Sequence, residues 1–548
     1  MSDHLTSPRR AQKPRYRPAI QVSAEIRNHC HIYLDEQLYI SALTLLTDLV
    51  TSGASHPKHL ATPAFAPVPF HIEIVSALLV HPRHTTQAPR NERAELASRS
   101  IAFLRSLLAT LGPLNGNLGE AFSLTPPRIR GSRRSRNGGD EGSSESDGEG
   151  EEHMGGVVAN KGRIRRSAKD FWHIVGWAFN CSVVHQKRWK YWKVWLEYML
   201  DVLDADWKER EEKDREESFK ATGLEEDSEA ECQFEMLRNS LLVKYLSDVK
   251  GRSSAAKRVV GAAFTDGGPE DLRSYPEVFP NETKEVQTQS GQKRKRGDDD
   301  LKESSDYDHG DEAAFESSQP TDETPESSQN TTDGVETPDP WMGGPESILL
   351  RQRVLTLLSR VAALLPDCFI DCRELYEIYC LNMKMLPLPA FSLLVSPSNS
   401  SHFPLEVFVS LTQLLLVRLI PNTAPRPRSV SNRDTDDLTQ EILEKCFLPY
   451  TASTSSIADN AKVSILVENL FRVFLKSCPA YYTPDLAAAI EKGIRAREAK
   501  MKSDKRRKEN GMLKKEEESD AVWLKASGHR LRRLLEWVEQ KTLDDSVQ

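Results

Sequence analysis

The sequence has no apolar run of about 20 residues, the length a helix needs to cross a bilayer. Stretches such as Leu411–Ile420 are short and interrupted, there by Thr412, Gln413 and Arg418. The opening residues MSDHLTSPRRAQKPRYRP lack the apolar core of a secretory leader, so the chain reads as soluble and intracellular, with no membrane partner. Cysteine is sparse, eight in 548 residues. Cys30, Cys181, Cys232, Cys368, Cys372, Cys380, Cys446 and Cys478 lie mostly within apolar helical patterns, as reduced thiols do. Cys368, Cys372 and Cys380 form a cluster without the paired spacings or nearby histidines of a zinc site. His29 and His31 flank Cys30 and read as polar positions beside a buried thiol. Glycine-rich phosphate loops and the GxGxxG, GxSxG, HExxH and kinase signatures are missing, so no catalytic residue, metal, cofactor or small-molecule substrate is expected and the chain reads as a non-enzyme. Strand-type alternation is scarce. The net charge of −8 argues against a protein that coats nucleic acid over its whole surface, leaving only local basic segments for such contact.

Tryptophan, by contrast, is concentrated. Six of nine fall between Trp172 and Trp207. Trp192, Leu196, Met199, Leu203 and Trp207 recur at three or four residues and line one helix face, which Trp189 and Trp195 widen. Phe171, Ile174, Val175, Ala178 and Phe179 repeat the period just upstream. A polar turn at His185, Gln186 and Lys187 joins the two segments into a helical hairpin. Cations between the rings, at Lys187, Arg188, Lys190 and Lys193, suit base stacking with phosphate contact. Helical spacing alone accounts for the rings as a packed core with lysines at its rim. On that reading Lys187, Arg188, Lys190 and Tyr191 form an outer, partner-binding face whose replacement spares folding.

Apolar stripes elsewhere are also helical. Leu34, Leu38, Ala42, Leu45 and Leu49 mark a first helix, Phe70–Val80 a second, and Arg93–Leu111 a third, closed by Gly112 and Pro113. The segment EQLYISALTLL resembles the first helix of a tetratricopeptide hairpin, over that one helix and with no 34-residue period following. Leu350, Val354, Leu357, Leu358, Val361, Leu364 and Leu365 form a further stripe ended by Pro366. Leu375–Leu388, Leu405–Ile420 and Val463–Leu475 continue the theme, and Asp367 and Asp371 read as helix caps. The expected fold is all-α, an irregular helical array or solenoid-like bundle interrupted by long disordered inserts that are acidic and Ser-rich.

Its expected divisions are a disordered tail (1–20), an N-terminal helical module (21–124), an Arg-rich then acidic linker (125–167), a Trp-rich hairpin module (168–250), a regulatory linker (251–345), a C-terminal helical module (346–500, with a loop at 421–437) and a basic segment with a terminal amphipathic helix (501–548). The first linker carries Arg128, Arg130, Arg133, Arg134 and Arg136. Ser143, Ser144 and Ser146 follow among acids that favour acid-directed kinases. The second holds the tetrad Lys293, Arg294, Lys295 and Arg296, a compact cationic patch of the kind nuclear import receptors read. Lys505, Arg506, Arg507 and Lys508 form another. Thr288, Ser318 and Ser328 precede glutamine and look like checkpoint-kinase sites; Thr324 and Thr337 precede proline. Phosphates there would add charge and acceptors to the chain. Near the end, Lys492, Arg495, Arg497, Lys500 and Lys502 make a basic segment suited either to phosphate neutralisation or to a solvated helix.

These features point to a nuclear, non-enzymatic helical scaffold or adaptor. Its expected partners are proteins of a complex in chromosome maintenance or DNA repair, and linker phosphorylation would regulate it. The alternative is a nucleic-acid-associated factor in transcription or ribosome assembly, binding DNA or RNA through the basic C-terminal segment. A cytoplasmic helical adaptor is the third reading.

Overall fold

The computed structural model of the chain describes residues 15–124, 158, 162–222, 234–249, 252–284, 341–397, 403–430, 438–503 and 511–547. The chain is all-α. Among the described residues the only sheet is a two-stranded parallel one, Ala19–Gln21 with Ala64–Ala66, in the register Ala19↔Ala64, Ile20↔Phe65 and Gln21↔Ala66. No described helix is long and apolar enough to cross a membrane.

The N-terminal helices are α1 (Ala24–Asp35), α2 (Tyr39–Thr51), α3 (Pro69–Val80), α4 (Arg90–Asn115) and α5 (Leu118–Ala121). Helix α4 breaks at Gly112, where φ is +70° and an added Cβ would lie 2.4 Å from the Tyr16 ring. Then come α6 (Ile164–Ser167), α7 (Phe171–Val184), α8 (Gln186–Thr222), α9 (Glu235–Arg238), α10 (Leu241–Ser247), α11 (Arg252–Phe264) and α12 (Pro269–Ser274). The C-terminal third holds α13 (Gly344–Leu364), α14 (Cys372–Met385), α15 (Leu388–Leu394), α16 (Leu405–Leu419) and α17 (Pro427–Val430). After them, α18 (Gln440–Ile442) runs into a π turn at Leu443–Phe447, followed by α19 (Ile457–Ser477), α20 (Pro484–Ser503) and α21 (Gly511–Val547).

The predicted hairpin is α7 and α8, with His185 alone between them. Asp170 caps α7 by accepting the His173 N–H at 2.8 Å, which satisfies a donor the first turn would leave orphaned. Helix α8 is the central strut, packing against α3, α4, α7, α9, α10 and α13. Its buried carboxylates organise the next two helices: Asp214 accepts the Met236 and Leu237 N–H groups of α9, and Asp206 the Leu241 N–H of α10, each at 2.8 Å. The C-terminal helices gather around α19, which packs on α15, α16, α20 and α21. The buried apolar residues of all three expected modules form one continuous cluster.

Three expected boundaries move. Residues 252–284, assigned to the regulatory linker, belong to the core: Ala256, Val259, Val260, Ala262 and Ala263 of α11 are fully buried. Their small side chains let α11 pack closely on α7, whereas the Ser, Thr, Asp, Glu, Gly and Pro content of the whole stretch 251–344 points to a linker. Residues 15–20, placed in the tail, are also folded. Arg17 is buried, its Nε bonding Thr62 O at 2.9 Å and its Nη2 bonding Ser52 O at 2.7 Å and Pro63 O at 2.9 Å. In the first linker, α6 and the buried Val158 and Ile164 join the core. Of the two expected caps, Asp371 accepts the Glu374 N–H at 2.8 Å, and Asp367 pairs with Arg238.

Gly176 of α7 faces the Tyr275 ring, where an added Cβ would come within 2.3 Å of ring carbon; Gly119 of α5 has nothing within 4 Å. Gly176→Ala is expected to lower unfolding free energy by about 2 kcal/mol. Gly119→Ala should be neutral or gain up to about 1 kcal/mol. Urea unfolding of both variants checks the contrast, and equal effects would contradict the packing of Tyr275 on α7.

Candidate functional site

All six clustered tryptophans are buried, none more than 5 % exposed. Trp172 Nε1 donates to Tyr245 O at 3.0 Å, Trp195 Nε1 to Ser76 Oγ at 2.8 Å and Trp192 Nε1 to Glu282 Oε2 at 3.1 Å. Phe171 stacks on Tyr245 with centroids 4.3 Å apart, and Trp192 meets Trp195 edge to face at 5.7 Å. Rings held this way supply core area and orientation. They are inaccessible to a nucleic-acid base.

The polar centre of this block is Arg188. Its Nε and Nη2 reach Glu282 Oε2 at 2.8 and 2.5 Å, Nη1 reaches Thr85 Oγ1 at 2.7 Å, and Nη2 also reaches Val80 O at 2.6 Å. Glu282 Oε1 accepts the Val278 and Phe279 N–H groups at 3.0 and 3.3 Å. Burial pushes the Glu282 carboxyl above its usual range, against the pull of the Arg188 guanidinium. Arg188 was expected on the outer face with Lys187, Lys190 and Tyr191; it is 2 % exposed and belongs to the core. The reason is register: Arg188 precedes Trp192 by four residues and Trp195 by seven, so the period that buries those rings buries Arg188. Lys187 and Lys190 do face solvent and Tyr191 is half-buried.

A second buried guanidinium, Arg351 of α13, joins the C-terminal helices to the hairpin. Its Nη1 donates to Ala263 O at 2.8 Å, its Nε to Ser347 Oγ at 3.1 Å, and it lies 4.2 Å from the Phe179 ring centroid. Burial pushes it down to about 9. Half-exposed pairs run alongside: Lys193–Glu346 and Arg353–Asp201, both 2.6 Å.

Within the basic C-terminal segment, Lys492 and Arg495 face solvent and Arg497 does not. Arg497 is fully buried, donating to Leu448 O at 3.1 Å and Tyr450 O at 2.9 Å. Arg532 binds Glu491 at 2.7 Å, and Arg495 shares that carboxylate. The import patches Lys293, Arg294, Lys295, Arg296 and Lys505, Arg506, Arg507, Lys508 lie outside the described residues. So do the phosphorylation candidates Ser143, Ser144, Ser146, Thr288, Ser318, Thr324, Ser328 and Thr337.

Burial pushes the Cys380 thiol up to about 12 and the Cys30 thiol up to about 11, far from the thiolate range of a nucleophile. Among the described residues no group of three or more His, Cys, Asp or Glu side chains is arranged to hold a metal. A pocket bounded by Glu73, Phe122, Ile164, Arg165, Trp195 and Tyr245 encloses about 20 Å³, room for a water and not for a metabolite. Comparison with family models, with curated proteins and with solved structures finds no match.

Arg188→Ala strands the Glu282 carboxylate in the core and is expected to cost about 3 to 5 kcal/mol; Trp192→Ala should cost a similar amount through its cavity. Lys187→Ala and Lys190→Ala should stay within about 0.5 kcal/mol. Urea unfolding followed by helicity separates the groups, and an Arg188 variant as stable as the lysine variants would contradict its burial.

Burial pushes His71 down to about 4 and His81 down to about 3. His173, also lowered by burial, accepts the Lys169 N–H at Nδ1 and sits with Nε2 2.9 Å from Pro276 O, the geometry of a neutral ring. Such rings stay neutral in the folded chain while the unfolded chain takes up protons near pH 6.5. The unfolded state then binds more protons, so stability falls as pH drops from about 6.5 toward 4, by up to about 1.4 kcal/mol per ring per pH unit. Urea midpoints should be lower at pH 5.5 than at 7.5; an unchanged midpoint would contradict the neutral, buried rings.

Proposed function

We propose that the chain is a non-enzymatic nuclear helical scaffold that assembles a protein complex, in chromosome maintenance or DNA repair, with phosphorylation of its linkers regulating assembly. The observation that carries this reading is the use of the tryptophan block and its arginine for one continuous core. Rings and charges that would serve a stacking platform are consumed by packing, and the remaining functional surface consists of helix faces such as that of Lys187, Lys190 and Tyr191. The nuclear setting rests on the two basic tetrads. Burial of Arg497 and the sharing of Glu491 by Arg495 and Arg532 weigh against the alternative, a nucleic-acid-associated factor.

Replacing Lys293, Arg294, Lys295, Arg296, Lys505, Arg506, Arg507 and Lys508 with alanine is expected to move the full-length chain from nucleus to cytoplasm; unaltered nuclear localisation would count against the reading. The purified chain should show no binding to DNA or RNA at low ionic strength. Tight binding with a steep salt slope would favour the alternative.

A further inference from the structure

After α12 the chain crosses the hairpin as an irregular strap, Tyr275–Lys284. Among the described residues, the backbone–backbone hydrogen bonds made by the strap are local: Tyr275 N–H to Asp271 O, Glu282 N–H to Phe279 O and Lys284 N–H to Asn281 O. The rest of the protein reads the strap through side chains. Asn180 donates to Tyr275 O at 3.2 Å, and His173 meets Pro276 O at 2.9 Å. Gln87 donates to Asn281 O at 3.1 Å and Lys284 O at 3.3 Å, and Arg188 and Trp192 take the Glu282 carboxylate. The Phe279 ring sits between His81, edge-on at 4.8 Å, and Trp192, stacked at 6.0 Å. Glu282, by accepting the Val278 and Phe279 N–H groups, folds the strap on itself. Phe279 and Glu282 are each 1 % exposed while Pro280 and Asn281 between them face solvent. Anchors that insert, a spacer that does not, and a backbone satisfied locally or by host side chains are the features of a peptide seated in a groove. The described residues stop at Lys284 and resume at Trp341, ahead of α13.

We propose that the groove formed by His81, Thr85, Arg188, Trp192 and α7 is a peptide-binding site, specific for a phenylalanine followed three residues later by a carboxylate, and that Tyr275–Lys284 fills it in cis as an exchangeable ligand. An incoming segment of the same chemistry displaces the strap and takes over its contacts: an aromatic ring against Trp192 and a carboxylate on Arg188. Occupancy by the strap keeps the groove closed to weaker ligands. The proposal rests on this geometry alone and is independent of nuclear location or scaffold role.

Two measurements on the full-length chain test it. In native-state hydrogen exchange, the Val278 and Phe279 amides should exchange at least about 100-fold faster than amides of α8 around Trp192 and Trp195, because the strap opens without global unfolding. Exchange of both segments at one common rate would overturn the proposal. A labelled synthetic peptide of residues 275–284 should bind saturably, by fluorescence anisotropy, to the Phe279→Ala, Glu282→Gln double variant. Binding to the unaltered chain should be at least about 10-fold weaker, and the peptide carrying the same two substitutions should not bind. Failure of the native peptide to bind a double variant whose helicity is retained would overturn it. If the double variant does not fold, the exchange measurement on the unaltered chain decides in either direction.

Discussion

Moving a carboxylate and a guanidinium out of water costs several kcal/mol per ion unless their geometry is good and the remaining donors and acceptors are satisfied. In this chain that requirement is met at Arg188 and Glu282, where one guanidinium joins the carboxylate, the Thr85 hydroxyl and the Val80 carbonyl, and the carboxylate also takes the Trp192 indole and two backbone amides. The groups involved come from the end of α3 and the turn after it, the start of α8, and the strap. Each of these segments supplies partners to the buried polar groups of the others. The tryptophan block meets the same point, since the Trp192 indole donates to Glu282.

Among the described residues, other joints of the fold use a buried guanidinium on backbone carbonyls, without a carboxylate. Arg17 ties the chain before the first strand to the 52–63 region, Arg351 ties α13 to α7 and α11, and Arg497 ties α20 to the turn at Leu448. In each case a planar cation with five donors meets backbone carbonyls that loops and helix ends leave without partners. Apolar stripes fill the interior, while buried arginines fix which helix lies beside which. That division explains why an acidic, highly charged chain still closes one continuous core.

The all-α class, the hairpin, the break at Gly112 and the burial of Trp192 and Trp207 were readable from sequence, because each depends on a local period or a local breaker. Arg188 was readable in principle, four residues before Trp192 on the same face, but a cation among lysines at a predicted turn was assigned to the surface. The stripe Ala256, Val259, Val260 and Ala263 was readable locally but was averaged into the polar stretch 251–344; Glu282 was not, since it finds its partner 94 positions away. Of the four residues expected on the outer face, Lys187 and Lys190 face solvent, Tyr191 is half-buried and Arg188 is in the core; the groove that the strap fills has no local signature, since three distant segments build it.

The central claim is that Arg188 and Glu282 act as one coupled unit holding three segments together. A double-mutant cycle with Arg188→Met, Glu282→Leu and both together, measured by urea unfolding of the full-length chain, tests it most directly. The account predicts that each single change costs several kcal/mol while the double change costs less than the sum by at least about 2 kcal/mol, because neither charge is then left buried alone. Additive costs, or single changes that leave stability untouched, would contradict it.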